Sequence, residues 1–138
     1  MVPVMDTKQN DYAREAEERW GNTRAWKESR ERTKGMGKAD WDALKAEMAA
    51  ILDGAVQGME RGPEDEQVQA AVRAYHEFID RRFYTCSAAM FGSLADLWGE
   101  DPRFGAYWDS LRPGMTEFIR AAVAVYLDRL LLESEERL

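Results

Sequence analysis

The sequence is short of the residues that build most reactive centres, with one cysteine and one histidine among 138 residues. A lone cysteine, Cys86, excludes an internal disulfide. No amino-terminal apolar stretch is long enough for a secretion signal, so a reducing cytoplasm is the expected compartment. A lone histidine, His76, excludes the usual histidine-containing zinc sites and any Ser-His-Asp triad not built around it. A di-iron bundle would want Glu-x-x-His, and three residues before His76 stands Arg73. One histidine in a helical chain can be a haem ligand, but nothing else marks a haem pocket, and no cofactor is expected. There is no glycine-rich phosphate loop: Gly35 and Gly37 flank Met36 without a following Lys-Ser/Thr pair. Basic charge is also short, 19 Lys and Arg against 26 Asp and Glu for a net charge of −7, which disfavours direct nucleic-acid contact. Long apolar runs are missing. The best, Ile119 to Leu132, is broken by Arg120, Asp128 and Arg129 and falls short of the about 20 residues a bilayer requires.

What is present is a helical pattern. The 45% hydrophobic content and 33% charge suit one globular domain, large enough to hold a core without disulfide or metal. No segment alternates with period two, so the predicted class is all-α. Residues 1–10 read as a loose tail. Residues 11–34 are helix-forming, with Glu15/Arg19, Arg24/Glu28, Lys27/Glu31 and Glu28/Arg32 at four-residue spacing, but thin in apolar side chains. Gly21-Asn22-Thr23 divides them, and Asn22 or Thr23 can cap the second helix. A helix over Lys38–Glu60 carries Trp41, Leu44, Met48, Ile51, Leu52, Ala55, Val56 and Met59 at spacings of three and four. Gly62-Pro63 is expected to end it and open the next, which runs to about Arg82 with Val68, Ala71, Val72, Tyr75, Ile79 and Phe83 inward. Ser87 can cap a shorter helix that Gly99 ends, and Asp101-Pro102 starts another. After Pro113-Gly114 a last helix, Met115 to about Glu133, is apolar on two sides, with Ala121, Val125 and Leu132 opposed to the core-facing set. That second side predicts a homodimer through the Met115–Leu132 helix.

Two residues keep alternative readings. His76 borders an apolar face, either as a hydrogen-bonded histidine at the core edge or in contact with a ligand. Cys86 follows Arg81 and Arg82 just before a helix start, surroundings that lower a thiol pKa; the blander reading is a small buried hydrophobe. An enzyme pairing the two is disfavoured, because ten residues along a helix separate them by about 15 Å and no orienting group is visible. Aromatic side chains crowd the stretch from Phe83 to Trp108, and clefts between short helices lined with aromatic and methionine residues suit large apolar ligands.

The run AEERWGNTRAWKESRERTK (16–34), the Asp40-Trp41 helix start, Phe83-Tyr84-Thr85-Cys86, Asp101-Pro102-Arg103-Phe104 and Arg112-Pro113-Gly114-Met115 together resemble the TipAS antibiotic-recognition domain family. The resemblance runs from Tyr12 to about Val123. It implies a globin-like helical fold without haem, a place as the effector half of a MerR-type transcriptional activator or as a stand-alone drug-binding domain, and recognition of hydrophobic antibiotics of thiopeptide-like or multidrug type. It also implies that Cys86 is a candidate covalent anchor for dehydroalanine-containing drugs and that residues 11–34 form a lid ordered by ligand over a core of residues 38–138. Ala89-Met90-Phe91 stands where the family commonly has Glu-Met-His, and Trp98 where a tyrosine is common, which implies a more apolar pocket. The expected ligand contacts are Trp20 and Trp26 on the lid, Phe91, Trp98, Tyr107 and Trp108 on the pocket wall, and His76, Phe83, Cys86 and Met90. The competing reading is a helical interaction or dimerisation module without a small-molecule ligand.

Overall fold

The computed structural model describes residues 23–136, with side chains through Glu133, and among them every regular element is helical. Six α-helices follow one another: α1 (Arg24–Thr33), α2 (Lys38–Gln57), α3 (Glu66–Arg82), α4 (Ala88–Glu100), α5 (Pro102–Leu111) and α6 (Met115–Glu136), with a 3-10 turn at Met59–Arg61. The all-α expectation holds. The expected tail over residues 1–10 and the expected helix over 11–22, with Trp20, lie outside the described residues.

The helix starts follow from side chains that satisfy otherwise orphaned N–H groups. The Thr23 hydroxyl accepts from the Trp26 N–H at 3.1 Å, Ser87 accepts from Met90 at 3.2 Å, and Asp101 accepts from Arg103 at 2.9 Å with Pro102 in the first turn. Three boundaries differ from expectation. α2 stops at Gln57, with Gly58 leading into the 3-10 turn, short of the expected Glu60. α3 starts at Glu66, capped by Asp65, whose carboxylate accepts from the Gln67 and Val68 N–H groups at 3.0 and 3.2 Å. Pro63 belongs to the preceding turn, where Gly62 adopts a left-handed φ of 103°. α4 also runs through Gly99 to Glu100. Its glycine leaves space for the Arg120 guanidinium, which a Cβ there would meet at 2.5 Å, and Arg120 Nε donates to the Ala95 carbonyl at 3.2 Å.

α3 is the central helix. It packs most extensively on α2 and also meets α1 and α6, while α4 and α5 pack on α6 and on each other. Leu44, Met48, Leu52 and Ala55 of α2 are buried against Val68, Ala71, Val72, Tyr75, Phe78 and Ile79 of α3 within one core. The two helices approach closely at Gly58, where a Cβ would stand 2.3 Å from a Val68 methyl. Arg112 ties the α5–α6 turn back to the end of α2, donating to the Val56 carbonyl at 3.1 Å and pairing with Glu60 at 3.0 Å. No helix among the described residues is long and apolar enough to cross a membrane.

Candidate functional site

The loop Phe83–Ser87 connects α3 to α4 and carries the only thiol. α3 stops at Phe83, where the chain turns back on the helix it has just left, since both Phe83 and Tyr84 donate N–H to the Ile79 carbonyl. The turn brings Cys86 beside α3. Its N–H donates to Asp80 Oδ1 at 2.8 Å, and its carbonyl accepts from His76 Nε2 at 2.7 Å. A carbonyl only accepts, so Nε2 carries a proton, and Nδ1 lies within hydrogen-bond distance of the Tyr126 hydroxyl at 2.8 Å. The expected separation of about 15 Å between His76 and Cys86 therefore does not hold, because it assumed one continuous helix. What His76 grips is the Cys86 backbone.

The thiol is inside, with Cys86 only 5% exposed. Burial, reinforced by the nearby Asp80 carboxylate, pushes its pKa up to about 11, the reverse of the activation that Arg81 and Arg82 suggested. Those two arginines are engaged elsewhere, with the Glu47 carboxylate of α2 at 3.3 and 3.1 Å. On the far side of the loop stands α1. Glu28 accepts from the Thr85 N–H and from its hydroxyl, each at 3.0 Å, and Arg32 pairs with Glu28 at 2.5 Å while also donating to the Asp80 carbonyl. The Thr85 N–H is the main reason the Glu28 carboxyl is held below its ordinary pKa.

Behind the loop lies the aromatic core. Phe91 stacks on His76 with centroids 4.5 Å apart and planes 9° apart, and meets Tyr126 and Trp98 edge-on. Trp98 and Trp108 are 4.8 Å apart, and Tyr75 lies about equally far from both at 6.0 and 5.9 Å. Of the proposed contact residues, Phe83, Phe91, Trp98 and Trp108 are closed into this core together with Cys86, while Trp26, His76, Met90 and Tyr107 are half-buried at its edge. Among the described residues the buried Trp108 indole N–H has no hydrogen-bond partner. Burial raises the Tyr107 phenol to about 12.

Two open grooves flank these residues, and none of the described contact candidates lines either. One, of about 520 Å³, lies between α1, α2 and the end of α3, with Met36, Ala43 and Leu44 as its apolar part and Arg32, Arg81 and Arg82 at its edge. The other, of about 440 Å³, runs between α4 and α6 past Gly92, Ala95, Val123 and Leu127. Glu28, Asp80 and Tyr126 are absent from the contacts expected from sequence. The Glu28/Arg32 spacing was the one available signal, and it marks a helix pair without revealing that the pair reaches a loop more than fifty residues away.

A sequence model of the TipAS antibiotic-recognition domain matches residues 12–126. The HTH-type transcriptional activator mta of Bacillus subtilis is 31% identical over 120 residues, covering 87% of this chain and 46% of that protein. The HTH-type transcriptional activator TipA of Streptomyces coelicolor is 32% identical over 116 residues, covering 83% and 46%. The chain thus spans about half the length of these relatives. A solved structure of TipAS from Streptomyces lividans in complex with nosiheptide superposes with a TM-score of 0.82 at 28% identity, over 91% of this chain and 90% of that one. The chain belongs to the TipAS antibiotic-recognition domain family.

Proposed function

We infer that the protein is a ligand-binding domain that recognises and sequesters hydrophobic antibiotics of thiopeptide-like or multidrug type, and that it is not an enzyme. The observation that carries this reading is the near-complete superposition on TipAS with nosiheptide bound, at 28% identity. The relatives are transcriptional activators about twice as long as the matched region, so the natural setting proposed is the drug-sensing effector half of a MerR-type activator in the cytoplasm, with a stand-alone drug-binding protein as the variant. Drug contact falls on the half-buried edge formed by Trp26, His76, Met90 and Tyr107. Phe83, Phe91, Trp98 and Trp108 stand behind that edge and become contacts when it opens. Trp20 and the segment 11–34 act as the lid, and Cys86 is the anchor for electrophilic drugs.

A thermal-shift screen with nosiheptide and a panel of hydrophobic drugs tests the reading, since a ligand that binds only the folded state raises the melting temperature. The expected result is a shift with at least one compound. No shift with any of them turns the reading to the interaction module. A specific observation supports self-association alongside drug binding: Leu131 and Leu132 near the end of α6 are 60% and 57% exposed, and Ala121 also faces outward. Sedimentation at high protein concentration is expected to show a dimer, and a clean monomer removes that part of the proposal.

A further inference from the structure

The outward side of α6 carries an apolar knob and an apolar groove on the same helix. Ala121, Ala124 and Asp128 face outward, and beyond them Leu131 and Leu132 are 60% and 57% exposed. Beside that face runs the groove of about 440 Å³ between α4 and α6, whose α4 wall is made of the small residues Ala89, Gly92 and Ala95. Gly92 lies opposite Leu127, and Ala95 bonds Arg120, so α4 and α6 run antiparallel. One charged residue from each helix, Asp96 and Arg120, stands at the end of the groove remote from Leu131. A knob and a groove on one helix are self-complementary about a two-fold axis, which closes the assembly at two copies.

We propose that α6 pairs antiparallel with α6 of a second copy about an axis near Leu127 and Asp128, so that Leu131 and Leu132 of each copy fill the α4/α6 groove of the other. The proposal rests on the self-association reading above and specifies its face, direction and register. The order of charges supports that direction. With the partner's Leu131 over Ala124, the partner's Arg129 comes within a turn of Asp96 and the partner's Glu133 within a turn of Arg120, so opposite charges meet at both places. In their own chain Arg129 and Glu133 are loosely held, 3.4 Å from the Glu64 carbonyl and 3.9 Å from Arg73. The Arg120 guanidinium is fixed by its bond to Ala95, and its nearest carboxylate, the exposed Glu117, is 3.8 Å away. A parallel pair would set Leu131 beside Leu131, about two turns past Ala124, and leave both grooves unfilled.

The test combines disulfide crosslinking with sedimentation of the full chain. In the Cys86→Ala background, cysteines are introduced singly at Ala124, Asp128 and Leu131 and oxidised with copper–phenanthroline. A disulfide needs Cα atoms within about 7 Å. Asp128→Cys is expected to link to itself, and Ala124→Cys mixed with Leu131→Cys to give the mixed dimer. Neither of these two is expected to link alone, because like positions lie about 10 Å apart along the helices. Without introduced cysteines, Asp96→Arg is expected to weaken the dimer about tenfold by facing the partner's Arg129, and Asp96→Arg with Arg129→Asp to restore it. Self-linking of Leu131→Cys without the mixed product, or Asp96→Arg sedimenting as the parent does, overturns the antiparallel seat while leaving a dimer in place. A clean monomer at high protein concentration overturns the seat together with the self-association reading. Drug binding is read separately by the thermal-shift screen.

Discussion

The aromatic core around Tyr75 and the α1 clamp on the Cys86 loop are held together by different chemistry. The core joins Tyr75, Phe91, Trp98 and Trp108, each no more than 1% exposed, through ring contacts that water cannot replace. The clamp joins Glu28 and Arg32, with side chains 26% and 32% exposed, to backbone groups that water can also satisfy. Burial of apolar surface holds the first region. Exchangeable hydrogen bonds hold the second, beside the half-buried packing of Ala25 and Trp26 on the core.

Substitutions sharpen the contrast. The largest effect is expected from Trp98→Ala, which leaves a large void among fully buried rings and is expected to cost about 3–5 kcal/mol in urea unfolding. Next comes Gly58→Ala, whose new methyl would meet the fully buried, β-branched Val68 at 2.3 Å and is expected to cost about 1–3 kcal/mol by forcing α2 and α3 apart. Tyr126→Phe removes the hydroxyl on His76 Nδ1 and is expected to cost about 1 kcal/mol, read in the same unfolding curves. Against these, Glu28→Gln, at a partly exposed pair, is expected to leave the melting temperature nearly unchanged.

How much of this was legible in the sequence differs between the same two regions. The buried face of α2 was readable because Leu44, Met48, Leu52 and Ala55 keep helical spacing, and spacing is a property of the sequence itself. The start of α3 was misplaced because Pro63 suits a first helical position, whereas the one favoured capping side chain after Gly62 is Asp65, which takes that role. The motifs that reveal the family are largely architectural: Asp101 caps α5, Arg112 ties the α5–α6 turn to α2, and Phe83 and Tyr84 are core. Of the two readings of Cys86, the small buried hydrophobe is the one the burial supports, and the activated thiol is not. Its arginine neighbours in sequence pair with Glu47, and the groups that do surround it, His76 and Asp80, arrive only because the chain reverses after Arg82.

The direction of the Cys86 shift gives a pH test. With the folded thiol raised to about 11 against an ordinary value of about 9, the unfolded chain releases its proton first as pH rises. Folding stability is therefore expected to fall between about pH 9 and 11, and Cys86→Ala to flatten that part of the decline without altering it below pH 8. Parallel curves for the two proteins would place the thiol in a more open setting than 5% exposure implies.

Hydrogen exchange with and without nosiheptide addresses the contrast and the function together. In the free protein the amides of Arg24–Thr33 are expected to exchange well before those in the middle of α3, since α1 opens locally and α3 only with the core. Adding nosiheptide is expected to slow α1 strongly and to leave the middle of α3 unchanged. Protection of α1 equal to that of α3 in the free protein, unaltered by a bound drug, would contradict the account of α1 as an opening element that responds to ligand.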